Sequence, residues 1–148
     1  MRRGVGWVAA EFFGFVGLVG APLLSRAKVA SPVRLAGGGL MAGAVLWTTY
    51  AYGSIGASHS PWVVPNADAT LVTTGAYRIV RHPIYAGWTG IALGWGMLTG
   101  SPLAVGVALA TAVYYDRRSR VEERALVAAY PDYAVYRGGV KRLIPGLY

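Results

Sequence analysis

The chain has 148 residues, of which 55% are hydrophobic and only 14% charged, with a mean hydropathy of +0.43. This is too apolar for an ordinary soluble domain and long enough for one small helical membrane unit. The net charge of +8 would suit nucleic acid, but the basic residues cluster between apolar runs instead of lining one soluble face, and the lack of Cys excludes disulfides, thiolate metal sites and a cysteine nucleophile.

Four apolar runs are long enough, or nearly so, for the roughly 20 residues of helix that cross a bilayer. The first, Val5 to Leu24, follows "MRR" as a signal peptide would, but it is too long for one and carries Glu11, so it reads as a retained first helix. The second runs from Val33 to Gly53 and contains "GGG" at Gly37 to Gly39. A polar loop follows, in which His59 beside Trp62 reads as an interfacial loop histidine. The third and fourth runs, Ile84 to Leu98 and Pro102 to Tyr115, are shorter and joined by "TGS". They form a tight hairpin whose arms span fully only if flanking Arg and Tyr side chains snorkel. Glycine is frequent in every run, which permits close helix approach where packing holds helices together.

The predicted fold is therefore all-α: a multi-pass membrane bundle of about four transmembrane helices with a C-terminal hairpin and a cytoplasmic helical tail. Residues 1–53 supply two membrane helices, 54–83 a cytoplasmic loop, 84–116 the hairpin and 117–148 a helical lid, all in one domain. With four crossings, one side holds Arg2, Arg3, Arg78, Arg81, Arg117, Arg118, Arg120, Arg124, Arg137, Lys141 and Arg142, and the other only Arg26, Lys28 and Arg34. The positive-inside rule makes the first side cytoplasmic.

The segment "YRIVRHPIYAGW", residues 77–88, lies on that side. Pro83 biases His82 away from helical angles and is itself favoured as the first helical residue, so the third helix should begin at Pro83 or Ile84. Arg81 and His82 then sit at its mouth, where free N–H groups and the helix dipole favour a carboxylate or phosphate, and Tyr77 and Tyr85 flank the point. The competing reading makes these residues interface anchors. Folding the hairpin about Gly100 brings His82 level with Arg118, and Glu122 and Glu123 lie one helical turn beyond, about 6 Å at 1.5 Å per residue. Anion-binding and cation-binding groups meet there, which suits a ligand with a carboxylate, an ammonium and sugar hydroxyls against an apolar wall, as in S-adenosylmethionine. The plainer alternative for the glutamates is a solvated helix with Arg118 and Glu122 paired at i, i+4, worth about 0.3 to 0.5 kcal/mol.

"LVTTGAYRIVRHPIYAGW", the hairpin, and "RVEERALVAAYPDYAVYRGGVKRLIPG" together resemble the isoprenylcysteine carboxyl methyltransferase and phospholipid methyltransferase family of integral membrane enzymes. The resemblance covers Leu71 to Gly146. Upstream, only the apolar pattern and the glycines at 37–39 are similar to the family. It implies an S-adenosylmethionine-dependent methyltransferase in which Arg81, His82 and Tyr85 belong to the cofactor pocket, joined by Tyr77, and Glu122 and Glu123 form the acidic pair linked to cofactor binding. Tyr133, Tyr136 and Arg137 would close over the pocket, so that His82, Glu123 and Arg137 are the expected catalytic group; no metal is implied. Ala76 stands where the family often has proline, and Tyr130 and Pro131 replace a common Phe-Gly; both departures fall at turns.

The implied acceptor is lipophilic and arrives from the bilayer: an isoprenylcysteine-type carboxylate, a phospholipid amine, or a small hydrophobic acid or thiol. It is expected between membrane helices, where a second copy in a homo-oligomer would supply further wall. Two rival classes remain from the sequence. Glu11 inside an apolar run is costly and should face a partner, either an arginine near the pocket or an ion path. The latter would make the chain a small four-helix proton-coupled drug exporter. A non-catalytic membrane scaffold would keep the fold and bind no donor.

Overall fold

The computed structural model describes residues 5–58 and 70–148, so Arg2, Arg3, His59 and Trp62 lie outside the described residues. Among the described residues five α-helices follow one another: α1 Val5–Leu24, α2 Ser31–Ile55, α3 Pro83–Thr99, α4 Pro102–Ala129 and α5 Tyr133–Gly139. Two short 3-10 turns, Gly56–Ser58 and Gly75–Arg78, complete the helical set. Among the described residues there is no strand, only one parallel bridge between Val80 and Lys141.

The helix starts follow from sequence. Pro83 opens α3 with His82 as its cap, as the proline rule predicts. Ser101 caps α4, its Oγ accepting the Ala104 N–H at 3.1 Å, with Pro102 as first helical residue. Gly100 makes the turn between them at φ 67°, and a Cβ there would stand 2.9 Å from the Ala27 carbonyl oxygen. One boundary differs from expectation. The second hairpin arm does not stop near Tyr115, because no Gly or Pro falls between Gly106 and Pro131; α4 continues through the charged stretch to Ala129. The hairpin and the first part of the expected lid are thus one helix.

Packing centres on α2 against α3. A Cβ on Gly94 would lie 2.7 Å from both the Gly37 oxygen and the Met41 nitrogen, and one on Gly37 would lie 2.6 Å from the Leu98 nitrogen. The two backbones therefore touch. Of the three consecutive glycines, Gly37 makes this contact and Gly39 faces open space. Towards the other end of α2, Trp47 Nε1 donates to the Pro83 carbonyl at 2.9 Å and fixes where α3 begins. The helix α1 is held by Trp95 Nε1 on the Leu18 carbonyl at 3.1 Å, by the Tyr114 hydroxyl on the Trp7 carbonyl at 2.7 Å and by the pairing of Glu11 with Arg118.

Large apolar side chains are left outside: Phe12, Phe13, Phe15 and Val16 on α1, Leu35 and Leu46 on α2, Leu109 and Val113 on α4, with Phe13 71% exposed. An apolar surface this extensive points to a non-aqueous surrounding. By length and hydropathy alone, one helix among the described residues, Gly6–Leu24, is long and apolar enough to cross a membrane. The hairpin arms fall short of that measure for physical reasons. Helix α3 has 17 residues, and the C-terminal half of α4 is charged.

Candidate functional site

The loop before α3, the second half of α4 and the segment after α5 converge at one end of the bundle. Gly75 admits the loop: its φ is 60°, and a Cβ would collide with the Ser54 hydroxyl that accepts the Ala76 N–H at 3.2 Å. From there the chain reaches the bridge at Val80, and the Arg81 and His82 N–H groups donate to the Lys141 and Arg142 carbonyls at 2.8 and 3.0 Å. The C-terminal segment is thereby tied to the mouth of α3.

Glu123 is the hub. It is 2% exposed, and its Oε1 accepts Arg81 Nε at 2.9 Å, lies 2.9 Å from Arg81 Nη2 and 3.3 Å from His82 Nε2, and accepts Arg142 Nε at 3.3 Å. Arg137 Nε stands 3.8 Å from Oε2 with its side chain largely in solvent. Burial by itself would push this carboxyl up, but hydrogen bonds from His82 and Arg81 and the Arg81 charge outweigh it and hold it down at about 2. The remaining Arg81 nitrogen, Nη1, donates to the Arg137 carbonyl at 3.0 Å and to the Val140 carbonyl. Arg81 therefore joins α4, the α3 mouth and the tail.

Glu122 faces a second set of partners. Its Oε1 accepts the Tyr85 hydroxyl at 2.5 Å and Arg118 Nε at 3.1 Å, and its Oε2 is 3.7 Å from His82 Nδ1. The His82 and Tyr85 rings are parallel at 5.5 Å, and Tyr85 stacks on Tyr115 at 4.5 Å. The Arg118–Glu122 pair has the i, i+4 spacing read from sequence, but it is not a solvated surface pair: Arg118 is 3% exposed and also ion-paired with Glu11 of α1.

The tail packs over this cluster. Tyr133 is buried with Arg81 beside its hydroxyl, and burial and the neighbouring Glu123 charge push the phenol up. Tyr136 donates its hydroxyl to the Tyr77 carbonyl at 2.5 Å, so Tyr77, itself buried, meets the tail through its backbone. Of the residues expected from sequence, Arg81, His82, Tyr85, Glu122 and Glu123 form one connected cluster, with Tyr77 and Arg137 at its edge. Sequence reasoning does not bring Tyr115 or Tyr148 to the site, and the tail cation Arg142 joins them there. Arg142 reaches both Glu123 and Asp116, Tyr115 forms the stacking floor, and Tyr148 donates its hydroxyl to Asp116 at 2.8 Å. Tyr115, Arg118 and Glu122 follow the three-to-four spacing of one helix face, which was the available signal. Tyr148 gives none, because a bridge between distant segments brings its stretch of chain to the site.

The charged cluster thus sits at one end of an apolar all-helical bundle. A solved structure of a eukaryotic intramembrane Ras methyltransferase, isoprenylcysteine carboxyl methyltransferase, superposes with a TM-score of 0.71 at 21% identity, covering 99% of this chain and 55% of that one. The family model of phospholipid methyltransferases matches residues 33–133, and the chain belongs to that family. Among curated relatives, the cobalt-zinc-cadmium resistance protein CzcN of Cupriavidus metallidurans is 41% identical over 80 residues, 53% of this chain and 37% of that protein. The protein-S-isoprenylcysteine O-methyltransferases of Schizosaccharomyces pombe and Xenopus laevis are 39% and 36% identical over 54% and 51% of this chain, and 35% and 27% of theirs. The matched stretches are thus about a third of those relatives' length. Family membership and the Arg118 partner of Glu11 both speak against the exporter reading.

Proposed function

We propose that residues 1–148 are one integral membrane methyltransferase domain, crossing the bilayer about four times with its site towards the cytoplasm, that moves a methyl group from S-adenosylmethionine to a lipophilic acceptor. One observation carries this reading: in a chain of the phospholipid methyltransferase family, the acidic pair Glu122 and Glu123 and the cations Arg81, Arg118 and Arg142 converge beside stacked tyrosines. Exposed apolar helices flank that cluster.

The residue chemistry fits the donor. Carboxylates suit its ammonium and sulfonium, Arg137 and Arg142 suit its carboxylate, and the Tyr85–Tyr115 stack suits an aromatic base. When bound, the donor supplies a methyl group on sulfonium, open to in-line displacement. The protein's part is alignment and exclusion of water. A carboxylate acceptor needs no base, whereas an amine must lose a proton, for which His82 or a glutamate would serve if within reach of it. The acceptor class is isoprenylcysteine-type carboxylate, phospholipid amine, or small hydrophobic acid or thiol, approaching past Trp88, Trp95 and the glycine-rich helix faces. The moving lid is confined to residues 130–148, since α4 is continuous before them.

Calorimetric titration of the detergent-purified chain with S-adenosylmethionine and S-adenosylhomocysteine tests the reading. Saturable binding of both is expected, and no binding of either would sink it in favour of a scaffold.

A further inference from the structure

Glu11 belongs to none of the motifs discussed above, and α1 lies outside residues 33–133 that match the family. Its carboxylate nevertheless reaches into the cluster. It pairs with Arg118 Nη1, which also donates to the Tyr114 hydroxyl at 3.2 Å, and that hydroxyl is donated in turn to the Trp7 carbonyl of α1. The same guanidinium gives its Nε to Glu122 at 3.1 Å and lies over the Tyr85 ring, 5.5 Å from its centroid. One cation is thus shared by two carboxylates from different helices. Glu122 divides its own Oε1 between Arg118 and the Tyr85 hydroxyl.

Charge sharing has a consequence for a ligand. With Glu11 ionised, Glu11, Arg118 and Glu122 together keep one unit of negative charge, available to a cation placed against Glu122. With a neutral side chain at position 11, Glu122 keeps more of the Arg118 charge to itself, and a Glu122 so satisfied attracts a cationic ligand less.

We propose that Glu11 is a positioning residue of the donor site: by holding one arm of Arg118 it leaves Glu122 able to face the cationic end of the methyl donor. This rests on the methyl-transfer reading, and it adds to the site a residue from α1.

The test is a double-mutant cycle on the full chain, with S-adenosylhomocysteine and S-adenosylmethionine affinities measured by calorimetry for wild type, Glu11→Gln, Glu122→Gln and the pair. Glu11→Gln is expected to weaken donor binding about tenfold and to have no further effect once Glu122 is Gln. Glu11→Asp, which keeps the charge at shorter reach, should lose less. A merely structural anchor on α1 would lower the thermal midpoint with donor affinity unchanged, and that result overturns the proposal, as do effects of the two changes that simply multiply. If Glu11→Gln does not fold, Glu11→Asp takes its place in the cycle. A loss that vanishes in the Glu122→Gln background then supports the proposal, and no loss or an undiminished one overturns it. A wild-type chain that binds no donor brings down the methyl-transfer reading and this inference with it; normal wild-type binding with insensitive Glu11 variants brings down the inference alone.

Discussion

Arg81 Nε and Nη2 both stand 2.9 Å from one oxygen of Glu123, joining residues 42 positions apart across the open end of the α3–α4 hairpin. The remaining Arg81 nitrogen holds carbonyls of the C-terminal segment. Cluster and tail therefore depend on the same carboxylate. Glu123→Gln keeps the volume but removes the countercharge of Arg81 and Arg142 in a site almost closed to water. Breaking one side of a buried ion network costs about 3 to 5 kcal/mol. The expected outcome is donor affinity reduced more than tenfold together with faster proteolytic cleavage after Ala129. A variant that binds donor normally would move the site elsewhere.

The same carboxylate sets an acid dependence. Its folded value of about 2 lies below the ordinary 4.5. A depressed carboxyl stabilises the fold fully above its unfolded value, and that contribution is lost as pH falls from 4.5 through about 2. Near-ultraviolet circular dichroism of the tail tyrosines in detergent should report undocking across this window. The Glu123→Gln protein should lack that transition, and an identical transition in both would assign the acid effect to another group.

The close approach of α2 and α3 can be probed apart from the chemistry. Gly94→Ala places a methyl 2.7 Å from two backbone atoms of α2, which cannot yield as a flexible side chain would. Overpacking of this kind costs about 1 to 3 kcal/mol. Gly106→Ala on α4 meets nothing within 4 Å and serves as the control. Thermal unfolding in detergent should separate them, with the midpoint lowered for Gly94→Ala and held for Gly106→Ala. Equal midpoints would mean that the helices do not touch as described.

What sequence could reveal followed from the range of the interactions involved. Pro83 and Gly100 set the ends of α3 through local backbone limits, and one register argument about Gly100 was enough to bring His82 towards Glu122 and Glu123. The change from apolar to charged residues at Asp116 marks no structural boundary, and α4 runs on to Ala129. Helix formation depends on backbone and propensity, and Arg, Glu and Ala continue it as well as Leu does. Arg142 and Tyr148 come to the site through a bridge between Val80 and Lys141, a non-local pairing with no periodic trace. Glu11 stands out in sequence for its cost in an apolar run, but only the packing of α1 on α4 chooses Arg118 as its partner.

The C-terminal segment gives the last prediction. Beyond α5 it contributes the Lys141 and Arg142 carbonyls that receive the Arg81 and His82 N–H groups, and the Arg142 guanidinium that reaches Glu123. It also carries the Tyr148 hydroxyl, which links Asp116 to Arg120 and Arg142. Truncation after Arg137 removes all of these while leaving Tyr133, Tyr136 and Arg137 in the chain. Two backbone donors at the α3 mouth and one side of the Glu123 carboxylate then open to water, and an ion pair in contact with water is worth far less than a dry one. If the segment is a lid, the truncated protein should bind S-adenosylhomocysteine at least tenfold more weakly, and that ligand should slow proteolysis of the tail in the full chain. A truncated protein of full affinity, with cleavage indifferent to ligand, would leave the segment as a membrane-surface anchor whose exposed Ile144 and Leu147 rest on the bilayer.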